Sequence, residues 1–224
     1  MTDKMESKRI TLFVGHYGSG KTNIAVNYAI RLAKTRPSVA LADLDIVNPY
    51  FRSKDSLADL TAAGVRLIAS PYAGSNLDIP ALPQEMYAVT DDKTLTAVLD
   101  VGGDDRGALA LGRLTPAILE ENDFECLAVI NRYRPLTRTP SDTLEVLREI
   151  EGAGGVPITG LVNNSNVGRE TTPEDVLESL DYAAEVSRLT GLPVRLTTAE
   201  RGVFTALAGK IPDLFPLDLQ KKIE

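Results

Sequence analysis

The segment Gly15-His16-Tyr17-Gly18-Ser19-Gly20-Lys21-Thr22 spaces its glycines, lysine and hydroxyl in the pattern G-x-x-x-x-G-K-[ST]. The chemistry this spacing serves is the cradling of nucleotide phosphates. Glycines let successive backbone N–H groups curl round phosphate oxygens. A helix opening at Lys21 adds the positive end of its dipole. Lys21 puts a mobile cation on the β- and γ-phosphates, Thr22 offers a hydroxyl to Mg²⁺, and Asn23 follows at the helix start. The competing reading is a chance glycine turn before a helix. It is disfavoured because the motif follows a strand pattern and opens a helical one.

A site that hydrolyses nucleotide needs carboxylates near the metal. Asp100 closes the run Thr96-Ala97-Val98-Leu99-Asp100 and is followed by Val101-Gly102-Gly103. A buried strand that aims one carboxylate at the Mg²⁺ shell is the Walker B arrangement. The glycine pair permits close backbone approach to the γ-phosphate and a hinge. An Asp before Gly-Gly is, by itself, usually just a turn, and the phosphate loop is what raises it to a site. Asp43-Leu44-Asp45 supplies two more carboxylates directly after the second strand pattern. Their expected role is to order a water for attack and to steady Mg²⁺. The bland alternative is an acidic strand-to-turn junction.

These residues need elements to position them. Apolar runs at residues 9–14, 39–42, 65–69, 95–99, 125–130, 158–162 and 194–197 read as strands. Helical periodicity covers residues 21–34, with Ile24, Ala25, Tyr28, Ala29 and Leu32 on one face, and residues 141–151 and 173–189. Thr172 is the N-cap of the last of these, Pro173 stands in its first turn, and Gly191 closes it. Residues 56–63 are weakly helical. Residues 106–121 are helical with Pro116 set to break or restart the helix. Residues 71–83, rich in Pro, Gly, Ser and Asn, form a loop. Continuous apolar strands alternating with helices imply an α/β, doubly wound, mostly parallel sheet of about seven strands, covered on both faces. The ligand then belongs at the carboxyl ends of the strands. With no repeat and no linker, residues 1–224 read as one domain.

On these motifs the chain resembles the MinD/ParA/CobQ-type (SIMIBI-class) nucleotide-binding domains, P-loop ATPases that include the nitrogenase iron protein and metal-insertion ATPases. The shared features are the phosphate loop, the Asp43-x-Asp45 pair, Asp100-x-Gly102-Gly103, and Gly160-Leu161-Val162-Asn163-Asn164-Ser165-Asn166. The resemblance implies that Lys21 and Thr22 bind phosphate and Mg²⁺. It implies that Asp45 positions the attacking water with Asp43 behind it, and that Asp100 sits in the metal's outer shell. It implies that Asn164, or Asn163 if the register slips by one, faces the base. It also implies a homodimer that forms across the nucleotides when ATP is bound and weakens with ADP.

Two departures from that family narrow the expectation. Its second lysine, which reaches across the dimer, is replaced here by His16, followed by Tyr17 instead of glycine. A neutral imidazole is a poorer cation at pH 7, so hydrolysis is expected to be slow or to depend on a partner. Metal-cluster carriers of the group present cysteines at the dimer face, whereas Cys126 stands in an apolar strand and reads as core.

The base is expected to be adenine. A guanine site usually pairs an aspartate with the two donor groups of the base, and Asn163-Asn164-Ser165-Asn166 carries no carboxylate. An amide both donates to and accepts from the adenine edge. The other reading of this stretch is a helix-capping loop before Thr172.

Composition removes several classes. Among 224 residues there are 24 Lys and Arg against 31 Asp and Glu, a net charge of −7. No basic face is written for nucleic acid; the cluster Arg132, Arg134, Arg138 reads as a solvated loop. No apolar run reaches the ~20 residues of a membrane span, and no amphipathic C-terminal pattern supports stable membrane association. One cysteine excludes an internal disulfide framework, residues 1–9 do not read as a signal peptide, and the expected compartment is the cytoplasm. The reading that follows is a slowly hydrolysing ATPase switch acting on a partner protein or its metallocofactor. The alternatives are an ATP-dependent small-molecule ligase or kinase on the same core, and a nucleotide sensor without turnover.

Overall fold

The structure, a computed structural model, describes residues 7–45, 57–69, 82–103 and 105–219. Most of the expected 71–83 loop, the segment following Asp45, Asp104 and the last five residues lie outside the described residues. In chain order the elements are β1 (Ile10–Val14), α1 (Lys21–Leu32), β2 (Val39–Leu44), α2 (Leu57–Ala62), β3 (Val65–Ala69), α3 (Ala88–Asp91), β4 (Thr96–Val101), α4 (Asp105–Gly112), α5 (Thr115–Glu121), β5 (Phe124–Ile130), α6 (Pro140–Gly154), β6 (Gly160–Asn163), α7 (Pro173–Thr190), β7 (Val194–Glu200), α8 (Arg201–Leu207) and β8 (Leu214–Leu217).

All eight strands join one sheet in the order β3-β2-β4-β1-β5-β6-β7-β8, and every pairing is parallel. The central strands β1, β2 and β4 are buried along their whole length. That is why they read as continuous apolar runs: a parallel sheet is covered on both faces. One face packs Phe13, Leu41, Val98 and Val129 against Ile24, Tyr28 and Leu32 of α1 and Leu60 of α2. The other packs Leu12, Ala42, Leu99 and Ile130 against Leu111, Ile118, Leu147 and Val186 of α4 to α7.

The strand order reverses about β1. From β1 the chain steps past β4 to β2 and β3, returns to β4, and then crosses β1 to proceed outward through β5. Such a reversal opens a crevice at the carboxyl end of the strand where it happens. The phosphate loop follows β1 at that point.

Helix α1 is pinned beneath the loop by a polar contact inside the core. The Tyr28 hydroxyl and the Thr11 hydroxyl both donate to Glu125 Oε1 at 3.0 Å. Burial first, and then the adjacent Glu125 carboxylate, raise the Tyr28 hydroxyl's pKa, so the phenol stays protonated and remains a donor.

The helices end where local chemistry dictates. Thr172 caps α7, its side chain accepting from Asp175 N while the Asp175 carboxylate accepts from Thr172 N, and Gly191 ends the helix at φ 73°. The 106–121 segment divides at residues 113–114, and α5 restarts with Pro116 in its first turn, where the missing N–H costs nothing. Three elements depart from the sequence reading, the first being the single-turn helix α3 (Ala88–Asp91), too short to show a helical period. Strand β8 was not expected, because Leu214-Phe215-Pro216-Leu217 contains a proline; it is an edge strand, where a missing ladder donor is tolerated. Helix α8, before it, also went unread. The sheet thus has eight strands instead of about seven.

Candidate nucleotide-binding site

The loop from Gly15 to Gly20 joins β1 to α1. Gly15, Gly18 and Gly20 have φ of 146°, 76° and 95°. At Gly20 the glycine is required twice over: its φ is left-handed, and a Cβ there would stand 2.3 Å from Asn164 Nδ2. Gly20 also occupies the N-cap of α1 with no side-chain cap, which leaves the first amides of the helix to a ligand. Lys21 folds back over the loop, its Nζ donating to His16 O at 3.2 Å. Lys21 and Thr22 are both buried, and so is Ser19. The Ser19 Oγ has no hydrogen-bond partner among the described residues. A buried orphan hydroxyl is costly unless something supplies its partner.

His16 is half-buried, with Nδ1 3.0 Å from Tyr17 O. Tyr17 is 58% exposed at the loop tip. Asn23 is half-buried in the first turn of α1, and its Oδ1 is buried without a hydrogen-bond partner among the described residues.

The acidic residues converge on the same end of the sheet. Asp100 on β4 pairs in register with Phe13 of β1 on one side and with Asp43 of β2 on the other. Asp43 and Asp100 are almost wholly buried, at 4% and 1% exposure. Asp43 Oδ1 accepts from Asp45 N at 3.0 Å, so this carboxylate also shapes the turn that leaves β2. Asp45 follows the strand, half-buried. Past Asp100 the backbone presses on the loop: a Cβ on Gly103 would stand 2.7 Å from Tyr17 N and 2.9 Å from Gly15 O. The segment after β4 and the phosphate loop are therefore in direct backbone contact.

Asn163, the last residue of β6, and Asn164, directly after it, face opposite ways, as successive residues of extended backbone do. Asn163 turns toward α7, donating from Nδ2 to Ser179 Oγ at 2.9 Å and accepting from the Ser165 hydroxyl at 2.7 Å. Asn164 turns toward the phosphate loop, donating from Nδ2 to Ser19 O at 2.6 Å and accepting on Oδ1 from the Thr198 hydroxyl at 2.6 Å. The loops after β5 and β6 are laced together by Asn131, which donates to Asn166 O at 3.3 Å, and by Ser165 Oγ, which accepts from Arg132 N at 3.1 Å. Arg132 donates to Glu178 O at 2.6 Å, and Arg134 and Arg138 are exposed. Sequence reasoning missed Asn131, Ser165 and Thr198. Asn131 follows an apolar strand as Asn164 does, a visible cue, whereas nothing local marks Thr198.

Cys126 is buried, and burial pushes its thiol up to about 12. It is an unreactive core residue. Among the described residues no group of three or more His, Cys, Asp and Glu is placed to hold a metal, and no helix is long and apolar enough to cross a membrane.

No family model matches the chain, and no curated protein matches it. Solved structures do. Chloroplast FtsY from Physcomitrella patens superposes with a TM-score of 0.60 at 17% identity, covering 91% of this chain and 62% of its own. The cell division protein ftsY from Thermotoga maritima gives 0.58 at 17%, covering 85% and 61%. The signal recognition particle receptor FtsY from Elizabethkingia anophelis, in complex with GDP, gives 0.55 at 15%, covering 88% and 59%. The chain has the P-loop NTPase fold. It spans about three-fifths of the length of these structures, and at such identities the likeness is one of fold.

Proposed function

We propose that this chain binds ATP with Mg²⁺ on residues 15–22 and hydrolyses it slowly, as a molecular switch acting on a partner protein or its metallocofactor. The observation that carries the reading is the glycine cradle at the reversal point of the sheet, with Lys21 folded across it and Ser19 Oγ buried inside without a partner among the described residues. Backbone amides, one cation and an unspent hydroxyl at a helix N-terminus suit a polyphosphate.

The residues present fit a magnesium ion. Thr22 lies buried at the start of α1, and Asp43 and Asp100 concentrate negative charge on neighbouring strand ends. Among the described residues no three of His, Cys, Asp and Glu form a closed metal cage, and a magnesium ion held largely by phosphate oxygens and water needs none. Thr22 would hold it directly, with Asp45 and Asp100 holding its waters. When bound it would neutralise charge on the β- and γ-phosphates. Asp45 would orient the attacking water, with Asp43 fixing the turn that carries it.

Asn164 supports adenine. A side-chain amide has two donor hydrogens and two acceptor lone pairs. Ser19 O and the Thr198 hydroxyl use one of each, leaving one donor and one acceptor. The adenine edge offers N6–H and N7, one of each kind, whereas guanine offers O6 and N7, both acceptors. The net charge of −7 supports a partner other than nucleic acid.

Titration with fluorescent ATP and GTP analogues tests the binding, with Lys21→Ala as the control. Removing the cation forfeits charge-assisted contacts of about 1.5–3 kcal/mol each, and ATP binding is expected to be lost. Unchanged affinity in the variant would remove the central claim. Phosphate release without any added acceptor separates the switch from an ATP-dependent ligase or kinase.

A further inference from the structure

Thr198 lies outside the phosphate loop, yet its hydroxyl makes one of the shortest polar contacts near the site. It stands in the carboxyl half of β7, 3% exposed. Its Oγ1 lies 2.6 Å from Asn164 Oδ1 and 3.4 Å from Asn163 O. A hydroxyl has a single proton, and the shorter contact takes it. On its other side the Asn164 amide donates to Ser19 O at 2.6 Å. That carbonyl accepts only, so it decides which end of the amide is nitrogen. Thr198 then supplies the buried Oδ1 with its donor. Held at both ends, the amide cannot turn about its terminal torsion, which is otherwise broad and nearly two-fold.

We propose that Thr198 is a positioning residue for nucleobase choice: by anchoring Asn164 against Ser19, it fixes the direction of the one donor and one acceptor left for the base. This rests on the ATP reading above. Without the Thr198 hydroxyl, Oδ1 faces a buried methyl and the amide rotates to find another donor. The remaining donor and acceptor of the amide then no longer keep one fixed direction, and the preference for adenine over guanine falls.

The test is equilibrium binding of Mg·ATP, Mg·GTP and Mg·tripolyphosphate to the full chain as wild type, Thr198→Val and Thr198→Ser. The wild type is expected to prefer ATP. Thr198→Val should weaken ATP roughly fivefold to tenfold, the loss of one hydrogen bond, while GTP and tripolyphosphate change less than about twofold on the same scale. Thr198→Ser, which keeps the hydroxyl, should restore the wild-type ratio. Thermal unfolding of each variant reports folding, and Thr198→Ala replaces the valine variant should that one not fold.

An equal loss for all three ligands would make Thr198 a packing residue of the loop and overturn the proposal. So would an unchanged ATP-to-GTP ratio, a serine variant that does not recover, or a wild type that prefers GTP. Tripolyphosphate separates the failures. A wild type that binds it without preferring a base keeps the phosphate loop and loses the base reading, whereas one that binds none of the three loses both.

Discussion

Asp43 and Asp100 are register partners on adjacent parallel strands, side by side at the carboxyl end of the sheet and almost wholly buried. Two carboxyl groups at one end of the sheet are the donors a hard divalent cation and its waters take. Asp100→Asn keeps the shape and removes one charge, so it should weaken the dependence of ATP binding on Mg²⁺ while leaving Mg²⁺-free binding unchanged or tighter. Titrating Mg²⁺ at fixed nucleotide measures this. The same Mg²⁺ midpoint in both proteins would place the metal away from Asp100.

Asp45→Asn should retain ATP and lose hydrolysis. The amide preserves size but withdraws the charge that orients water, and general-base contributions run to about 10²–10⁴-fold. Phosphate release at the wild-type rate would move the role to Asp43. Asp43 already accepts from the Asp45 amide, so its own Asn variant keeps the turn and isolates its charge.

Much of this site is local in sequence, and that part was legible. Gly15 to Thr22 make the cradle by their own order, and Asp100 and Asp43 are marked by the apolar strands they end. What was not legible is long-range. Whether Asn163 or Asn164 turns to the loop depends on strand alternation and on Ser179, sixteen positions away, and Thr198 meets Asn164 across thirty-four. Gly103 reads as a hinge, yet its backbone contact with Tyr17 exists only once β4 and β1 pair. In the fold, β8 was hidden by Pro216, a residue that argues against a central strand but is acceptable at the edge.

Stability should fall in acid for a reason outside the site. The Arg9 guanidinium binds Glu121 and also donates to the carbonyls of Val89 and Leu95 at 3.0 and 2.9 Å. Arg9 first, with Lys93 adding and burial opposing, holds the Glu121 carboxyl below its ordinary range. A carboxylate lowered on folding stabilises above its unfolded pKa, about 4.3, and that contribution is lost as pH falls through the lower folded value. Glu121→Gln should therefore be less stable than wild type at pH 7, with the gap narrowing below about pH 4.3. Urea unfolding across that range measures it, and a gap that stays constant would remove Glu121 as the cause.

The phosphate loop also faces outward. Tyr17 is 58% exposed at its tip, while the backbone beneath it rests on Gly103. A γ-phosphate held by the loop would reach both segments at once, so ATP and ADP would leave this surface in different states. We expect a dimer with a non-hydrolysable ATP analogue and a weaker one with ADP, the second copy docking over Tyr17. With His16 in place of a second lysine in the phosphate loop, the closed dimer should be weak, since no lysine side chain of that loop is set to reach the partner's phosphates. Light scattering should give twice the chain mass with the analogue. Tyr17→Asp should stay monomeric, because a carboxylate at the contact repels its symmetry mate and that copy's phosphates, and a nucleotide titration of the same variant separates this from a loss of binding in its own loop. A wild type that is monomeric in every nucleotide state would sink the dimeric switch. A Tyr17→Asp protein that dimerises normally would move the interface to another face.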